Sequence, residues 1–407
     1  MKLFDIINDG EKYTSSRLLM MAAWVSSPIF YYLNIFFSKK SFLGIQGSFV
    51  VPTVFILLVL LSFHELKHKI NKWGFFVYFL FLIAYIATYV FYPLNSQYLD
   101  KEFSQFFFRV LPFIFVGLLL DINKFQNSFT ILSILSIGIH ALYQFWYAKQ
   151  IVARTGLMED MVGAYMILPH VLYLIWSAIR SRKLLIIVIS VLSTFFLLSL
   201  GNRGCIVCLA VFFILFLIAS DSYKGMKFTK FLVLILGLII VVKSQQISLF
   251  LSDYLKELGM SNRVLEMMLS DEFLVSHGRD SIRQSLVDAI LNGPFLGYGL
   301  CGDRVVSGAI YAHNFFLEVF ADFGILIGSI LIIGFIFICI YAFHICRTSE
   351  EKYFLIILIA TFMGLMFSGS FLEDSQWAFL LGFSMRMIKQ NKSKRIIPLH
   401  PINYSTN

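Results

Sequence analysis

Apolar residues run along this chain in long blocks separated by short polar ones. About twelve blocks approach the ~20 residues needed to cross the hydrocarbon core of a bilayer. They lie near 17–37, 47–62, 73–92, 104–120, 125–147, 161–179, 184–200, 204–220, 231–247, 314–344, 353–370 and 377–388. The second and the last are short. Pro28, Pro52, Pro112 and Pro169 fall inside blocks, where neighbouring helices can re-satisfy the freed backbone groups. One stretch breaks the rhythm: residues 248–312 are rich in polar residues and separate the ninth block from the tenth. The pattern predicts an all-α polytopic membrane protein, a single transmembrane domain over 1–407, with 248–312 as a large loop. No internal repeat of the length that marks a repeat architecture is visible.

Composition sharpens this picture. The chain is 58% hydrophobic and 14% charged, with 45 phenylalanines among 407 residues. One soluble core does not grow large enough to hide so much apolar surface, whereas a bilayer covers each helix separately. The net charge of +9 would suit nucleic acid, but the cations sit in short loops, where they set topology. With the N-terminus cytoplasmic, Lys67, Lys69, Lys72, Arg180, Arg182, Lys183, Lys224, Lys227, Lys230, Arg347 and Lys352 fall inside, as do Arg386, Lys389, Lys392, Lys394 and Arg395. Both termini are then cytoplasmic, and loop 248–312 is external. The tail 389–407 is polar and reads as mobile. No cleavable signal is visible before the first block. Five scattered cysteines give no disulfide framework, and Cys205 and Cys208 read as buried thiols in an apolar run.

Some cations fall where the topology rule disfavours them. Arg154 lies in a short external loop, and Arg203 in the turn between blocks seven and eight. Arg279, Arg283 and Arg304 lie in the large loop, and Arg109 and Lys243 within blocks. Ionisable groups in such places are functional candidates; snorkelling to the headgroups is the alternative. Residues 280–291 read as an amphipathic helix with Ile282, Leu286 and Ile290 on its apolar face, ended by Gly293-Pro294. The i, i+4 spacing puts Arg279 and Arg283 on one side, a fork suited to phosphate oxygens. His313 stands at the start of the tenth block, where the helix dipole favours the neutral imidazole of a general base. Glu318 and Asp322 lie far round the helix from it, so an orienting partner would come from Glu266, Asp280 or Asp303.

Three patterns carry less. Gly297 to Gly302 satisfies GxGxxG but neither follows a buried strand nor opens a helix, so a dinucleotide site is not expected. His64 to His68 satisfies HExxH in a basic cytoplasmic loop, without a later motif to supply a third zinc ligand. His140 and His170, inside blocks, read as packed polar groups rather than a metal pair.

Three sequence blocks together resemble the O-antigen ligase and polymerase superfamily of bacterial surface-polysaccharide enzymes. The first, Leu200-Gly201-Asn202-Arg203-Gly204, is similar to the family's Ser-Arg-Gly turn, with asparagine in the serine position. The second is Gly278-Arg279, then Pro294-Phe295-Leu296-Gly297-Tyr298-Gly299. The third is His313-Asn314-Phe315-Phe316-Leu317, then Asp322-Phe323-Gly324, with aspartate where glutamate is common. The first two hundred residues match in hydropathy alone. The resemblance implies a glycosyltransferase of the bacterial cytoplasmic (inner) membrane, acting at its outer face without metal or cofactor. Its donor would be an undecaprenyl-diphosphate-linked oligosaccharide. Arg203 and Arg279, with Arg283, would bind the diphosphate, and His313 would activate the acceptor hydroxyl. Arg154, Arg304, Asn314, Asp280 and Asp303 are supporting candidates. The expected product is O-antigen or capsule, made by a polymerase that extends a lipid-linked repeat unit. A ligase to lipid A core shares the donor chemistry, and a lipid-linked oligosaccharide flippase is the rival of another class. Membrane lipid is an expected partner and nucleic acid is not; whether a chain-length regulator binds is open.

Overall fold

In the computed structural model of the protein, the described residues are 15–25, 32, 41–42, 45–46, 50–69, 72–155, 161–200, 202–219, a few single positions between 227 and 249, and 279–395. The ninth block 231–247 with Lys243, most of loop 248–278 with Glu266 and Gly278, Gly201, and 396–407 lie outside the described residues or largely so.

Helices dominate. They are α1 (Ser15–Val25), α2 (Val50–Lys69), α3 (Lys72–Phe91), α4 (Ser96–Gln105), α5 (Pro112–Leu119), α6 (Ile122–Thr155), α7 (Met161–Ser181), α8 (Leu184–Ser199) and α9 (Arg203–Ile218). Then come α10 (Arg279–Asn292), α11 (Gly302–Ser307), α12 (Phe315–Ile345), α13 (Ser349–Phe362) and α14 (Gln376–Arg395). Two two-residue strands, Ser41–Phe42 and Ile45–Gln46, pair antiparallel. Among the described residues four helical stretches are long and apolar enough to cross a membrane: Lys72–Phe91, Pro93–Leu119, Ile122–Gln144 and Phe315–Ile345. This is a membrane protein with several long apolar helices.

Local chemistry explains the irregular points. Between α4 and α5, Phe106–Val110 form a π turn, with the Leu111 amide donating to the Phe106 carbonyl at 2.9 Å. Pro112 follows and has no N–H for the regular ladder, and its ring would crowd the carbonyl four residues back. A capping box starts α13, where Thr348 Oγ1 accepts from the Glu351 amide and Glu351 returns the bond. Helices α5 and α14 touch backbone to backbone. A Cβ on Gly117 would come within 2.5 Å of the Phe383 nitrogen, and one on Gly382 within 2.1 Å of the Ile114 oxygen. Rings fill the rest of the core, as in the stacked Trp24–Phe129 and Trp176–Tyr353 pairs. His140 and His170 are buried polar groups, hydrogen-bonded to Tyr32 and Ser133.

The structure changes four expected boundaries. The tenth block is not one crossing. Gly324 has φ 71° and ψ 172°, a break inside α12. The rings of Phe315 and Phe335 lie 6.1 Å apart, although twenty residues of straight helix would separate them by about 30 Å. Residues 315–323 therefore fold back against 325–335 as a short arm. The crossing falls to 325–345, about 30 Å of helix. Helix α13 ends at Phe362, and a 3-10 turn, Met363–Met366, takes over short of the expected 370. Helix α14 runs to Arg395, so the tail is helical past 389. Arg154 lies in the last turn of α6, not in a loop.

The break depends on the absence of a side chain. A Cβ on Gly324 would lie 2.1 Å from the Phe295 oxygen, while one on Gly334 would meet nothing within 4 Å. Gly324→Ala is expected to cost at least about 1–2 kcal/mol from its backbone conformation, before the clash. Gly334→Ala in the crossing helix should gain up to about 1 kcal/mol. Opposite shifts in the melting temperature of detergent-purified protein are the expected result.

Candidate functional site

The segment 294–302 is held by main-chain bonds on two sides. On one side, the amides of Tyr298 and Gly299 donate to the carbonyls of Ala321 and Asp322 at 2.8 and 2.9 Å, beside the Gly324 break. On the other, Asn95 Nδ2 donates to the carbonyls of Tyr298 and Leu300, both at 2.8 Å. Thr88 Oγ1 accepts from the Leu300 amide at 3.0 Å, and the Tyr92 hydroxyl donates to the Gly297 carbonyl at 3.0 Å. Gly297 has a φ of 76°, and a Cβ there would sit 2.3 Å from the Gly324 nitrogen, so both the conformation and the close approach call for glycine. The GxGxxG glycines thus permit close packing. Contrary to expectation the motif does open a helix, since Gly302 begins α11. The described residues immediately before it, 279–292, are helix α10, not a strand.

The two acids of the folded-back arm are committed to this scaffold. Asp322 accepts from the amides of Cys301 and Asp303 at 3.1 and 3.2 Å. Glu318 accepts from the Phe371 amide at 3.0 Å and from the Ser370 hydroxyl. Neither serves His313, as their angular positions required.

His313 precedes the arm at φ 53°. Asn314 caps the helix, its Oδ1 accepting from the amides of Phe316 and Leu317 at 3.0 and 3.1 Å. Helix α10 lies along the arm: Leu286, Ala312 and Ala321 form a small core flanked by Ile282, Ile290, Val306 and Leu317. The predicted apolar face of α10 is the one it buries. Its other edge turns Arg279 and Arg283 toward His313. Burial, then the fields of Arg279 and Arg283, lower the imidazole pKa to about 4, so the ring is neutral at pH 7. The Tyr311 ring packs on it at 4.3 Å. Among the described residues Nδ1 of His313 and Nε of Arg283 are buried without hydrogen-bond partners. Arg279 donates to the Phe367 carbonyl at 2.7 Å.

The Arg203 turn comes close to the same region. Asn202 caps α9, accepting from the Cys205 amide at 3.3 Å. Asparagine and serine are near-equivalent caps, so Asn202 serves the helix start as a serine would. Gly204 is small because the Tyr165 hydroxyl occupies its Cβ position, 1.8 Å from an ideal Cβ. Tyr165 also lies against Gly364 and within electrostatic reach of Arg279. Arg203, half-buried, is thereby on the neighbouring helix start.

The other supporting candidates separate. Arg304 is buried and bonded to Glu102 at 2.8 Å and Glu373 at 3.1 Å, which removes it from diphosphate binding. Asp303 is fully buried, with no hydrogen bond to His313, and burial raises its pKa to about 6. Asp280 is exposed on α10. Sequence reasoning missed Glu102, Gln105, Glu373 and Asp374, which form a polar wall with Arg109. Their signal was present as polar residues in Ser96–Gln105 and in the Ser368–Ser375 link. Among the described residues no three of His, Cys, Asp and Glu converge as a metal site requires. Cys205 and Cys208 are buried thiols of α9.

Removing Arg304 strands two carboxylates, so Arg304→Met should destabilise by about 3–5 kcal/mol. Arg283→Met should cost far less than Arg304→Met, because no ion pair of Arg283 among the described residues is broken by the substitution. Thermal melts of both variants test this division of structural from available arginines. Compared with family models, characterised proteins and solved structures, the chain matches none.

Proposed function

We propose that this protein is a membrane glycosyltransferase whose donor is a glycan linked to a polyprenyl diphosphate. The observation that carries the reading is the convergence of the Arg279 and Arg283 charges on His313, a neutral base with a buried, unpartnered Nδ1. In the proposed reaction His313 removes the proton of an acceptor hydroxyl, whose oxygen attacks the anomeric carbon of the donor sugar. The carbon–oxygen bond to the diphosphate breaks, and the diphosphate leaves with the electron pair. Arg279, Arg283 and Arg203 neutralise it, stabilising the charge that develops as the bond breaks.

A lipid-linked donor also finds an apolar path beside this site. A groove of about 490 Å³ runs between α3 and α12, from Phe315 near His313 to Ile338 and Met385. Trp73, Phe76, Phe81 and Phe335 line it with rings. We assign the protein as a polymerase that moves a growing glycan to the next lipid-linked repeat unit. Ligation to another acceptor would use the same donor step.

The surface glycan of a strain lacking this chain discriminates the readings. A single unpolymerised repeat unit supports the polymerase. Long glycan held on its lipid carrier indicates the ligase, and normal glycan in the His313→Ala strain sinks the general base. Arg279→Ala should abolish chain growth, whereas Arg395→Ala, remote on α14, should not.

The pH profile follows from the field at His313. The neutral base prevails above about pH 4, so kcat/KM should stay flat from pH 5 to 8 and fall only in stronger acid. Bound diphosphate offsets the arginine charges and raises the imidazole pKa. The acid limb of kcat should therefore lie at higher pH than that of kcat/KM. Arg279→Gln should move the kcat/KM limb upward as well.

A further inference from the structure

The polar wall has a chemistry unlike that of the arginine pair. Glu102, Gln105 and Arg109 fall at i, i+3 and i+7, one face of the helix that runs from Ser96 through the π turn. Two bonds show where this face points. Glu102 pairs with Arg304 at 2.8 Å, and Gln105 Nε2 donates to the Glu373 carbonyl at 3.3 Å. Arg109 therefore turns toward the Phe367–Asp374 segment, within electrostatic reach of Asp374 and Glu373. Its side chain stays exposed and makes no ion pair within 4 Å among the described residues. Arg109 sits in the π turn that joins the polar helix Ser96–Gln105 to the apolar Pro112–Leu119; ionisable groups within membrane-spanning stretches are functional candidates, and π turns concentrate at such sites.

Charge balance decides the kind of ligand. Carboxylates Glu102, Glu373 and Asp374 outnumber guanidiniums Arg109 and Arg304, so a phosphate would be repelled. A neutral polyol suits the wall, since its hydroxyls can donate to Asp374 and Glu373 and accept from Arg109 and Gln105. Asp374 Oδ1 already accepts from the Gln376 amide at 2.8 Å, which fixes the carboxylate in place. One segment links the two poles: Phe367 holds Arg279, and Glu373 and Asp374 face Arg109. In a lipid-linked glycan the diphosphate and the sugars are likewise joined.

We propose that Gln105, Arg109, Glu373 and Asp374 form a saccharide subsite that takes the neutral sugar units of the lipid-linked substrate. This rests on the glycosyltransferase reading and adds where the sugars bind. The probe is the soluble glycan released by mild acid from the lipid-linked precursor of a strain lacking this chain. Binding to detergent-purified protein is followed by saturation-transfer NMR or calorimetry. Wild type should bind the glycan, and Arg109→Met and Asp374→Asn should each weaken binding at least about tenfold, the 1.4 kcal/mol of a charge-assisted bond. Asp374→Asn keeps the oxygen that receives the Gln376 amide, so it reports on the subsite even if Arg109→Met folds poorly. His313→Ala should bind as wild type does, and inorganic pyrophosphate should not displace the glycan. Glycan binding unchanged in both wall variants, displacement by pyrophosphate, or no binding by wild type would overturn the subsite. The two readings fail separately. Transfer that depends on His313 with unaltered binding in Arg109→Met removes the subsite and leaves the catalytic reading. Binding that depends on Arg109 without His313-dependent transfer does the reverse.

Discussion

The structure around the site depends on one backbone interlock. The amides of Tyr298 and Gly299 complete carbonyls at Ala321 and Asp322, where the α12 ladder is interrupted by Gly324. In an apolar surrounding an unpaired backbone group costs several kcal/mol, so the break and the loop require each other. The close approach needs hydrogen in place of a side chain on both partners, Gly297 and Gly324. From this contact the arm folds back, His313 is placed just before its first turn, and α10 acquires the surface on which it packs.

The buried charges serve two ends. Asp322 and Glu318 accept backbone amides of α11 and of the Ser370–Phe371 link, so they fasten irregular segments to the arm. Arg304 does the same through Glu102 and Glu373. These groups are satisfied within the protein. Among the described residues Arg283 and His313 each keep a buried nitrogen without a hydrogen-bond partner, and the exposed Arg109 makes no ion pair. Two arginine charges, Arg279 and Arg283, act at His313, whereas around Arg109 and Arg304 the carboxylates Glu102, Glu373 and Asp374 are in excess. One short segment, from Phe367 to Asp374, touches both environments: its Phe367 carbonyl accepts from Arg279, and Glu373 and Asp374 lie within electrostatic reach of Arg109.

The apolar blocks by themselves determined that the chain is helical and membrane-embedded, because hydrophobic length is a local property. The amphipathic face of α10, the pairing of Arg279 with Arg283 and the exclusion of Glu318 and Asp322 from His313 were also legible, since each follows from helix periodicity. The Asn202 cap was within the same reach, given the equivalence of capping residues. Other features were decided only by tertiary contacts. Hydropathy could not see the reversal at Gly324, because the arm 315–323 stays apolar enough to join the block despite Glu318 and Asp322, and the break is set by a loop about 25 residues earlier. Nor could it sort the arginines. Arg304 is spent on Glu102, some two hundred residues away in sequence, while the charges of Arg279 and Arg283 act on His313. Which cation is paired and which is available depends on the partners that the fold brings near, and spacing along the chain does not encode that.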